Sequence, residues 1–191
     1  MLKIGIGGNL GSGKSTVAKF FSTLYDGEII DADEITHRLL KKKEIIKEIK
    51  KLFPEVVKKN KILKDKLANL VFNNKDNYKR YYNLIMPKIL EEIDREIKKK
   101  NGKFLIIDAP LLFETGLYKK MDYNILVTAP KSLKIARMLK KGFKKEDILA
   151  RLKFQMPERE SKKKADFVIY NNQDKKRLKE KIIKIWGKIW K

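Results

Sequence analysis

One stretch near the amino end constrains the fold more than any other part of the chain. Residues 8–16 read Gly-Asn-Leu-Gly-Ser-Gly-Lys-Ser-Thr, so a glycine is followed after four residues by Gly-Lys-Ser. The short apolar run 2–6 precedes the stretch, and residues 17–21 continue as a helix-like run. A phosphate-binding loop lies between a strand and a helix in this way. The sequence therefore predicts a site for a phosphate-bearing ligand at the start of the first helix.

The residue types of this loop specify its chemistry. Glycines let successive backbone N–H groups point inward, where they and the positive end of the following helix surround phosphate oxygens. Lys14 is expected to reach the outer phosphates, and the Ser15 hydroxyl to bind a magnesium ion that bridges them. The alternative is a glycine-rich turn that only caps a helix, which the spacing and the flanking runs together disfavour. A dinucleotide-binding loop is excluded because Leu10 stands where a third glycine is needed.

Composition limits the chemistry that the chain can perform. The 191 residues include no cysteine and one histidine, which excludes disulfides, thiolate metal sites and a zinc cluster. No uncharged apolar stretch approaches the roughly 20 residues that span a bilayer. Because the first predicted strand begins at Leu2, we expect no cleaved signal and a cytosolic protein. Catalysis is expected to rest on carboxylates, cations and a hard metal ion.

The chain carries 47 basic and 24 acidic residues, a formal charge of +23. Such a charge raises the question of a nucleic-acid partner. However, the lysines are spread through every amphipathic segment, and no zinc finger, aromatic RNA-binding signature or basic arm is visible. We therefore expect a solvated lysine-rich surface that attracts polyphosphate ligands, with no specific nucleic-acid partner and no membrane partner.

Five short apolar runs alternate with helical stretches and predict the fold class. The alternation and the continuous apolar character indicate an α/β fold, in which a five-stranded parallel sheet lies between helical layers as a three-layer sandwich. Ligands of such sheets bind at the carboxyl ends of the strands. The predicted strands are residues 2–6, 28–30, 104–107, 123–128 and 167–170.

The longest insertion, residues 34–101, is predicted to form a helical subdomain that holds a second substrate. Its apolar residues recur at helical spacing, and no convincing strand is visible in it. Pro54 is expected to stop one helix, and Pro87 to kink or end another. The sheet core then comprises residues 1–33, 102–130 and 166–191.

The second insertion, residues 131–165, is predicted to be a helical lid. It contains several cations, including Arg137 and Arg151, and Gly142 is placed where one helix could stop and another begin. A cationic hairpin above a phosphate loop could close on the transferring phosphates and exclude water. The alternative is a solvated charged hairpin without a function at the site.

Acidic residues follow two of the predicted strands. Asp33, two residues after Asp31, is the candidate base that takes a proton from an acceptor hydroxyl, and Asp31 could orient it or bind a magnesium-held water. Asp33 could instead cap a helix that starts at Glu34. His37 is either an ordinary packed residue or a substrate contact. Asp108, after the third strand, is the candidate magnesium ligand, although a plain turn also uses aspartate.

In this order, the motifs resemble those of the dephospho-coenzyme A kinase family over nearly the whole chain. Residues 8–16 are similar to the family's phosphate loop, residues 31–33 to its Asp-Ala-Asp, and residues 110–114 to its Pro-Leu-Leu-Phe-Glu. The first motif alone indicates only that a nucleotide binds, whereas the three motifs in this order are highly specific for the family. A further block looks like the family's lid and last strand: Arg151, Gln155, Met156, Pro157, Ala165, Asp166, Val168, Ile169 and Asn171.

The resemblance implies a P-loop kinase that transfers the γ-phosphate of ATP, with Mg²⁺, to the ribose 3′-hydroxyl of dephospho-coenzyme A. The two rivals are another small-molecule P-loop kinase, such as a nucleoside monophosphate kinase, and a nucleic-acid-binding protein. A monomer is favoured. The expected catalytic residues are Asp33, Lys14 and Arg137, and the expected metal ligands are Ser15 and Asp108. The expected ATP-binding residues are Gly11, Ser12, Gly13, Lys14, Ser15, Thr16 and Asn171, and the expected substrate-binding residues are Asp33, His37, Pro110, Leu111 and Arg151.

The chain departs from the family's pattern at three positions. Met86 precedes Pro87 where the family commonly has His-Pro, so no polar substrate contact is assigned to it. Lys141 stands at a lid position that is often arginine, which keeps the charge and loses the bidentate geometry. Lys64 likewise replaces an arginine.

Overall fold

The computed structural model describes residues 1–190 and divides the chain into two compact units. The first unit comprises Met1–Asp31 and, apart from its last residue, Glu96–Lys191; the second comprises Ala32–Arg95. The second unit is therefore one continuous insertion in the chain, placed after the second predicted strand.

The first unit begins with strand β1 (Leu2–Gly7), helix α1 (Lys14–Tyr25) and strand β2 (Glu28–Asp31). Residues 8–13 connect β1 to α1 and contain the glycine-rich motif. The α1 helix buries Val17 and Phe21, which lie one turn apart on the same face. A strand, a glycine loop and a helix thus follow one another as the motif predicts.

The second unit is mainly helical, as its apolar spacing predicts. A short 3₁₀ turn follows its second helix at Pro54–Val56, so the helix stops before Pro54 as expected. The helices are α2 (Ala32–Leu39), α3 (Lys43–Leu52), α4 (Lys64–Phe72) and α5 (Lys75–Lys98), the last of which extends into the first unit.

The prediction that this insertion contains no strand is wrong. Strands β3 (Val57–Lys58) and β4 (Lys61–Ile62) form a small antiparallel hairpin. Lys59 and Asn60 between them both have positive φ angles, of 47° and 55°, as the two central residues of a type I′ turn require. Two-residue strands are too short to show an alternating pattern, which is why the sequence did not reveal them.

Pro87 lies inside α5, so the prediction that it could end a helix is wrong. Proline removes one backbone hydrogen bond from a helix and crowds the preceding turn. Ile85, Ile89 and Ile93 are buried on either side of it. This buried face offsets the local cost and lets the helix continue.

The first unit resumes with three strands and four helices. Gly142, with a φ angle of 86°, separates the first two of these helices, as the sequence predicts. A third helix follows in the insertion where a hairpin of two was expected. The elements are β5 (Phe104–Asp108), β6 (Tyr123–Thr128), α6 (Lys131–Lys140), α7 (Lys145–Lys153), α8 (Glu158–Lys162), β7 (Phe167–Tyr170) and α9 (Lys175–Ile189), with a 3₁₀ turn at Leu117–Lys120.

The five long strands form one parallel sheet in the order β2-β5-β1-β6-β7. All residues of β5 are buried, which requires cover on both faces of the sheet. The α/β fold with a five-stranded parallel sheet is therefore confirmed. Because the strands are parallel, the ends of β1, β2 and β5 lie at one edge, and the register pairs Asp31 with Asp108.

The core of this unit combines β1, α1 and α9. Ile4, Ile6 and Phe21 are fully buried in one apolar cluster with Ile182 of α9. Trp186 of α9 adds to this packing, because its ring stacks on that of Tyr25 and contacts Phe104. Helix α9 thus packs on the sheet unit, which explains its apolar face without a further function.

Candidate active site

The glycine loop has the backbone conformation that a phosphate cradle requires. Gly11 and Gly13 have φ angles of +79° and +89°, which L side chains rarely adopt. Gly13 is also the residue before the first turn of α1, so the loop ends at a helix amino terminus. The Ser12 N–H donates to the Asn9 carbonyl over 2.9 Å, which closes the turn. A helix amino terminus of this kind presents backbone N–H groups and the positive end of the helix dipole to an anion.

Lys14, Ser15 and Asp108 lie together at the edge of the sheet. The Lys14 Nζ atom is 3.1 Å from Asp108 Oδ1, and both side chains are buried. The Ser15 side chain also hydrogen-bonds to the Asp108 carboxylate. Burial raises the pKa of Asp108, while the Lys14 charge and the two hydrogen bonds oppose that rise. The sequence places Asp108 at a strand end, and the tertiary structure brings its carboxylate to the loop lysine.

Two side chains that are distant from the loop in the sequence donate hydrogen bonds to its carbonyl groups. Arg137 of α6 donates from Nη1 to the carbonyl oxygens of Gly11 and Ser12 over 3.3 and 3.2 Å. Its Nη2 donates to the Asn171 carbonyl over 2.8 Å, and the Asn171 side-chain amide donates to the Ser12 carbonyl over 2.8 Å. Burial lowers the pKa of Arg137, although a guanidinium remains charged at neutral pH. These contacts fix the carbonyl groups of Gly11 and Ser12 in the loop.

The connection between α7 and α8 also contacts the loop. Gln155 accepts the Leu10 N–H on its side-chain oxygen over 2.9 Å, and the Asn9 amide lies 3.5 Å from the Met156 carbonyl. The Met156 N–H in turn donates to Glu114 Oε1 over 2.8 Å. In the sequence these residues appear only as members of motifs, without a role. Their pairing spans more than 40 residues, so no local pattern could reveal it.

A partly buried ion pair that the sequence did not predict joins α6 to α8. Lys134 Nζ pairs with Glu158 Oε1 of α8, and Thr128 donates a further hydrogen bond to that carboxylate. Burial alone raises the pKa of Glu158, but these hydrogen bonds and the nearby lysine charges outweigh it and lower the pKa. The backbone of Lys134 approaches Gly11 so closely that a Cβ there would meet its carbonyl oxygen at 2.4 Å. Helix α6 therefore packs directly on the loop.

Four further predicted site residues belong to the first unit: Thr16, Pro110, Leu111 and Arg151. Pro110 and Leu111 are half-buried in the turn after β5. Thr16 is exposed in the first turn of α1. Arg151 is half-buried on α7, with its guanidinium 5.7 Å from the centre of the Phe143 ring. The structure thus brings the loop, Asp108, Arg137 and Asn171 together, while Arg151 lies on α7 beside Phe143.

Asp33 and His37 belong to the second unit, where both are exposed on α2. The helix begins at Ala32, so the expectation that Asp33 caps a helix starting at Glu34 is wrong: Asp33 lies within the first turn. A carboxylate in that turn still interacts favourably with the helix dipole. His37 is on the same helix one turn later, as its spacing predicts.

Among residues 1–190, no group of three or more His, Cys, Asp or Glu side chains is arranged to hold a metal ion. In the same range, no helix combines the length and the apolar character that crossing a bilayer requires.

A family model and curated relatives match this chain closely. The model described as "CoaE: Dephospho-CoA kinase" matches residues 2–177. The dephospho-CoA kinase of Thermus thermophilus is 35% identical over 169 residues, which cover 88% of this chain and 82% of that protein. The dephospho-CoA kinase of Aquifex aeolicus is 33% identical, with 99% of this chain and 98% of the relative covered.

Solved structures agree with this likeness. The crystal structure of TT1252 from Thermus thermophilus has a TM-score of 0.84 and 32% identity, with 100% of this chain and 98% of that chain covered. The shikimate kinase of Acinetobacter baumannii, in complex with shikimate, has a TM-score of 0.61 at 15% identity, with 99% and 93% covered. The second likeness concerns the fold alone.

Proposed function

The chain belongs to the dephospho-CoA kinase family, and we propose from this premise that it transfers the γ-phosphate of ATP to the ribose 3′-hydroxyl of dephospho-CoA, giving CoA and ADP. The observation that carries the proposal within the structure is the arrangement of Lys14, Ser15 and Asp108 at the amino end of α1. Phosphoryl transfer needs a cation at the phosphates and hard oxygen ligands beside it. These three side chains supply both.

ATP is assigned to residues 11–16, which comprise the end of the loop and the first turn of α1. The N–H groups at the start of α1 bind phosphate oxygens, and the Lys14 ammonium binds the outer phosphates. Because Arg137 and Asn171 occupy the carbonyls of Ser12 and Gly11, the loop keeps its N–H groups directed at the ligand. We assign Asn171 to the ATP site on the same grounds.

Ser15 and Asp108 are the residues that would hold magnesium. A hydroxyl and a carboxylate are hard oxygen donors that suit this ion, and the carboxylate already accepts a hydrogen bond from that hydroxyl. Because these are two protein ligands, phosphate oxygens and water would supply the others, as is usual for magnesium in nucleotide sites. When bound, the ion neutralises negative charge on the transferring phosphate.

Asp33 is assigned as the general base. Its carboxylate takes the proton of the ribose 3′-hydroxyl while the hydroxyl oxygen bonds to the γ-phosphorus and the bond to the β-phosphate oxygen breaks. ADP leaves with the electron pair of that bond. Support comes from the resemblance of residues 31–33 to the family's Asp-Ala-Asp and from the exposure of the Asp33 side chain, two residues after β2 ends.

Residues 34–101 are proposed to bind dephospho-CoA, and residues 131–165 to act as the lid. His37, Pro110, Leu111 and Arg151 are assigned to the acceptor. Arg137 contributes positive charge next to the loop, where negative charge develops in the transition state. We further propose a cytosolic monomer without a specific nucleic-acid or membrane partner. The spread of the lysines through every amphipathic segment of the sequence supports the absence of a specific nucleic-acid partner.

A coupled assay tests the function directly. The purified chain, with ATP and Mg²⁺, is offered dephospho-CoA, and ADP release and CoA formation are measured in parallel. We expect both products in equal amounts. Nucleoside monophosphates and shikimate serve as alternative acceptors at the same concentration. ADP release with one of these and none with dephospho-CoA would assign the chain to another kinase activity.

A further inference from the structure

The turn of the loop is contacted by side chains to which the proposed mechanism gives no role. Residues 154–157 join α7 to α8, and in them the Gln155 side-chain oxygen accepts the Leu10 N–H over 2.9 Å. The neighbouring Asn9 amide lies 3.5 Å from the Met156 carbonyl. Leu10 and Asn9 form the turn of the loop, on the side opposite its helical end.

Glu114 holds this connecting segment from the other side. Its Oε1 atom accepts the Met156 N–H over 2.8 Å. Glu114 itself is half-buried after β5, and the Lys164 ammonium lies 3.4 Å from the carbonyl of the preceding residue, Phe113. Two hydrogen bonds, joined by the covalent backbone between Gln155 and Met156, therefore link Glu114 to Leu10.

We propose that Glu114 and Gln155 are positioning residues that fix the turn of the phosphate-binding loop through the 154–157 segment. Gln155 acts on the loop through the Leu10 N–H, and Glu114 acts on the 154–157 segment through the Met156 N–H. A loop whose glycines give it many accessible conformations loses entropy when it orders on a ligand. Ordering the loop in advance lowers that cost and strengthens nucleotide binding.

The choice of side chains fits this role. The neutral Gln155 oxygen accepts an N–H without placing a negative charge beside a triphosphate. The negative charge of Glu114 is one segment further away and is balanced in part by Lys164. Because Gln155 lies between α7 and α8, displacement of that segment would release the Leu10 N–H. The inference rests on the proposed ATP site and adds to it the part of the chain that orders the loop.

Four single variants and one double variant test the proposal, and the two main measurements, nucleotide binding and hydrogen exchange, need no turnover of the acceptor. Gln155→Leu and Glu114→Leu each remove an acceptor, Glu114→Gln keeps one without the charge, and Glu160→Gln is the control. Glu160 is on the neighbouring α8, where it pairs only with Lys163 among the contacts described. Binding of a non-hydrolysable ATP analogue is measured by calorimetry, and hydrogen exchange of residues 8–13 by mass spectrometry.

We expect Gln155→Leu and Glu114→Leu to weaken analogue binding by about tenfold and to accelerate exchange in the loop. Glu114→Gln should restore most of the affinity, and Glu160→Gln should match the wild type. The double variant Gln155→Leu with Glu114→Leu should be no weaker than the weaker single variant, because both act through one segment.

Wild-type affinity and exchange in Gln155→Leu would overturn the proposal, as would a double variant whose effects multiply. Should Glu114→Leu fail to fold, Gln155→Leu and Glu114→Gln still decide the matter. The KM for dephospho-CoA should change less than twofold in Gln155→Leu, whereas general damage to the structure would alter both substrates. Failure of the wild type to phosphorylate dephospho-CoA would refute the proposed acceptor and leave these binding results in place.

Discussion

The Nζ atom of Lys14 lies 3.1 Å from the Oδ1 atom of Asp108, and the two side chains are 11% and 1% exposed. A charge buried to this degree is stable only with a partner. The two residues therefore have linked roles: the lysine compensates the carboxylate in the fold and is the cation assigned to the phosphates. A substitution of either residue is therefore expected to change the environment of the other.

Lys14→Met should remove both roles at once. Loss of the phosphate cation is expected to lower turnover by about 10³-fold or more. The uncompensated Asp108 should cost about 3–5 kcal/mol of unfolding free energy. Chemical denaturation and the coupled assay measure the two effects. The double variant Lys14→Met with Asp108→Asn should regain most of the stability and remain inactive; a stable, active Lys14→Met protein would refute the assignment.

Asp33→Asn should separate chemistry from nucleotide binding. A general base contributes about 10²–10⁴ to the rate, so turnover should fall by that factor. Affinity for an ATP analogue should stay within about twofold. The adjacent exposed carboxylate provides the control, because Glu34→Gln removes the same charge one residue later. Equal turnover in Asp33→Asn and the wild type would rule out the base role.

Gly13 and Gly142 form a matched pair for testing the loop. Their φ angles are +89° and +86°, so alanine at either position should cost about 1–2 kcal/mol in backbone strain. A Cβ at Gly13 would in addition meet Asn171 Nδ2 at 2.2 Å, whereas a Cβ at Gly142 would meet nothing within 4 Å. Gly13→Ala is therefore expected to abolish ATP binding, and Gly142→Ala to lower the melting temperature only. Similar ATP affinity in the two variants would contradict the role of the Asn171 contact.

Burial raises the pKa of Glu114 above its ordinary value of 4.5, although the Met156 N–H opposes the rise. The folded state then holds the proton more tightly than the unfolded state, so stability falls as the pH rises from 4.5 through the folded pKa. Glu114→Gln has no such titration. Relative to this variant, the wild type should lose unfolding free energy over that pH range. Urea denaturation of both proteins at several pH values measures this loss. A difference in unfolding free energy between them that does not depend on pH would contradict the prediction.

Local patterns were sufficient for the sheet and for the loop. The spacing of residues 8–16 depends only on backbone conformation and neighbouring side chains, so the motif was visible in the sequence. The apolar runs located the five long strands. The apolar pattern did not reveal the β3–β4 hairpin, because strands of two residues are too short to show an alternation. It also did not predict that α5 continues through Pro87, because buried contacts in the tertiary structure outweighed the local preference of proline.

The sequence by itself determined the phosphate-binding loop, the parallel sheet and the positions of Asp31 and Asp108 at its edge, because the extent and the end of each strand follow from short-range apolar patterns. The order of the strands, β2-β5-β1-β6-β7, is decided by tertiary pairing. Only the tertiary structure decided which side chains complete the loop. Asn171 contacts Ser12 across 159 residues, and Gln155 contacts Leu10 across 145. Such pairings arise when helices and strands pack, since the packing brings together polar groups that must find hydrogen-bond partners once buried. No local spacing in the chain encodes them.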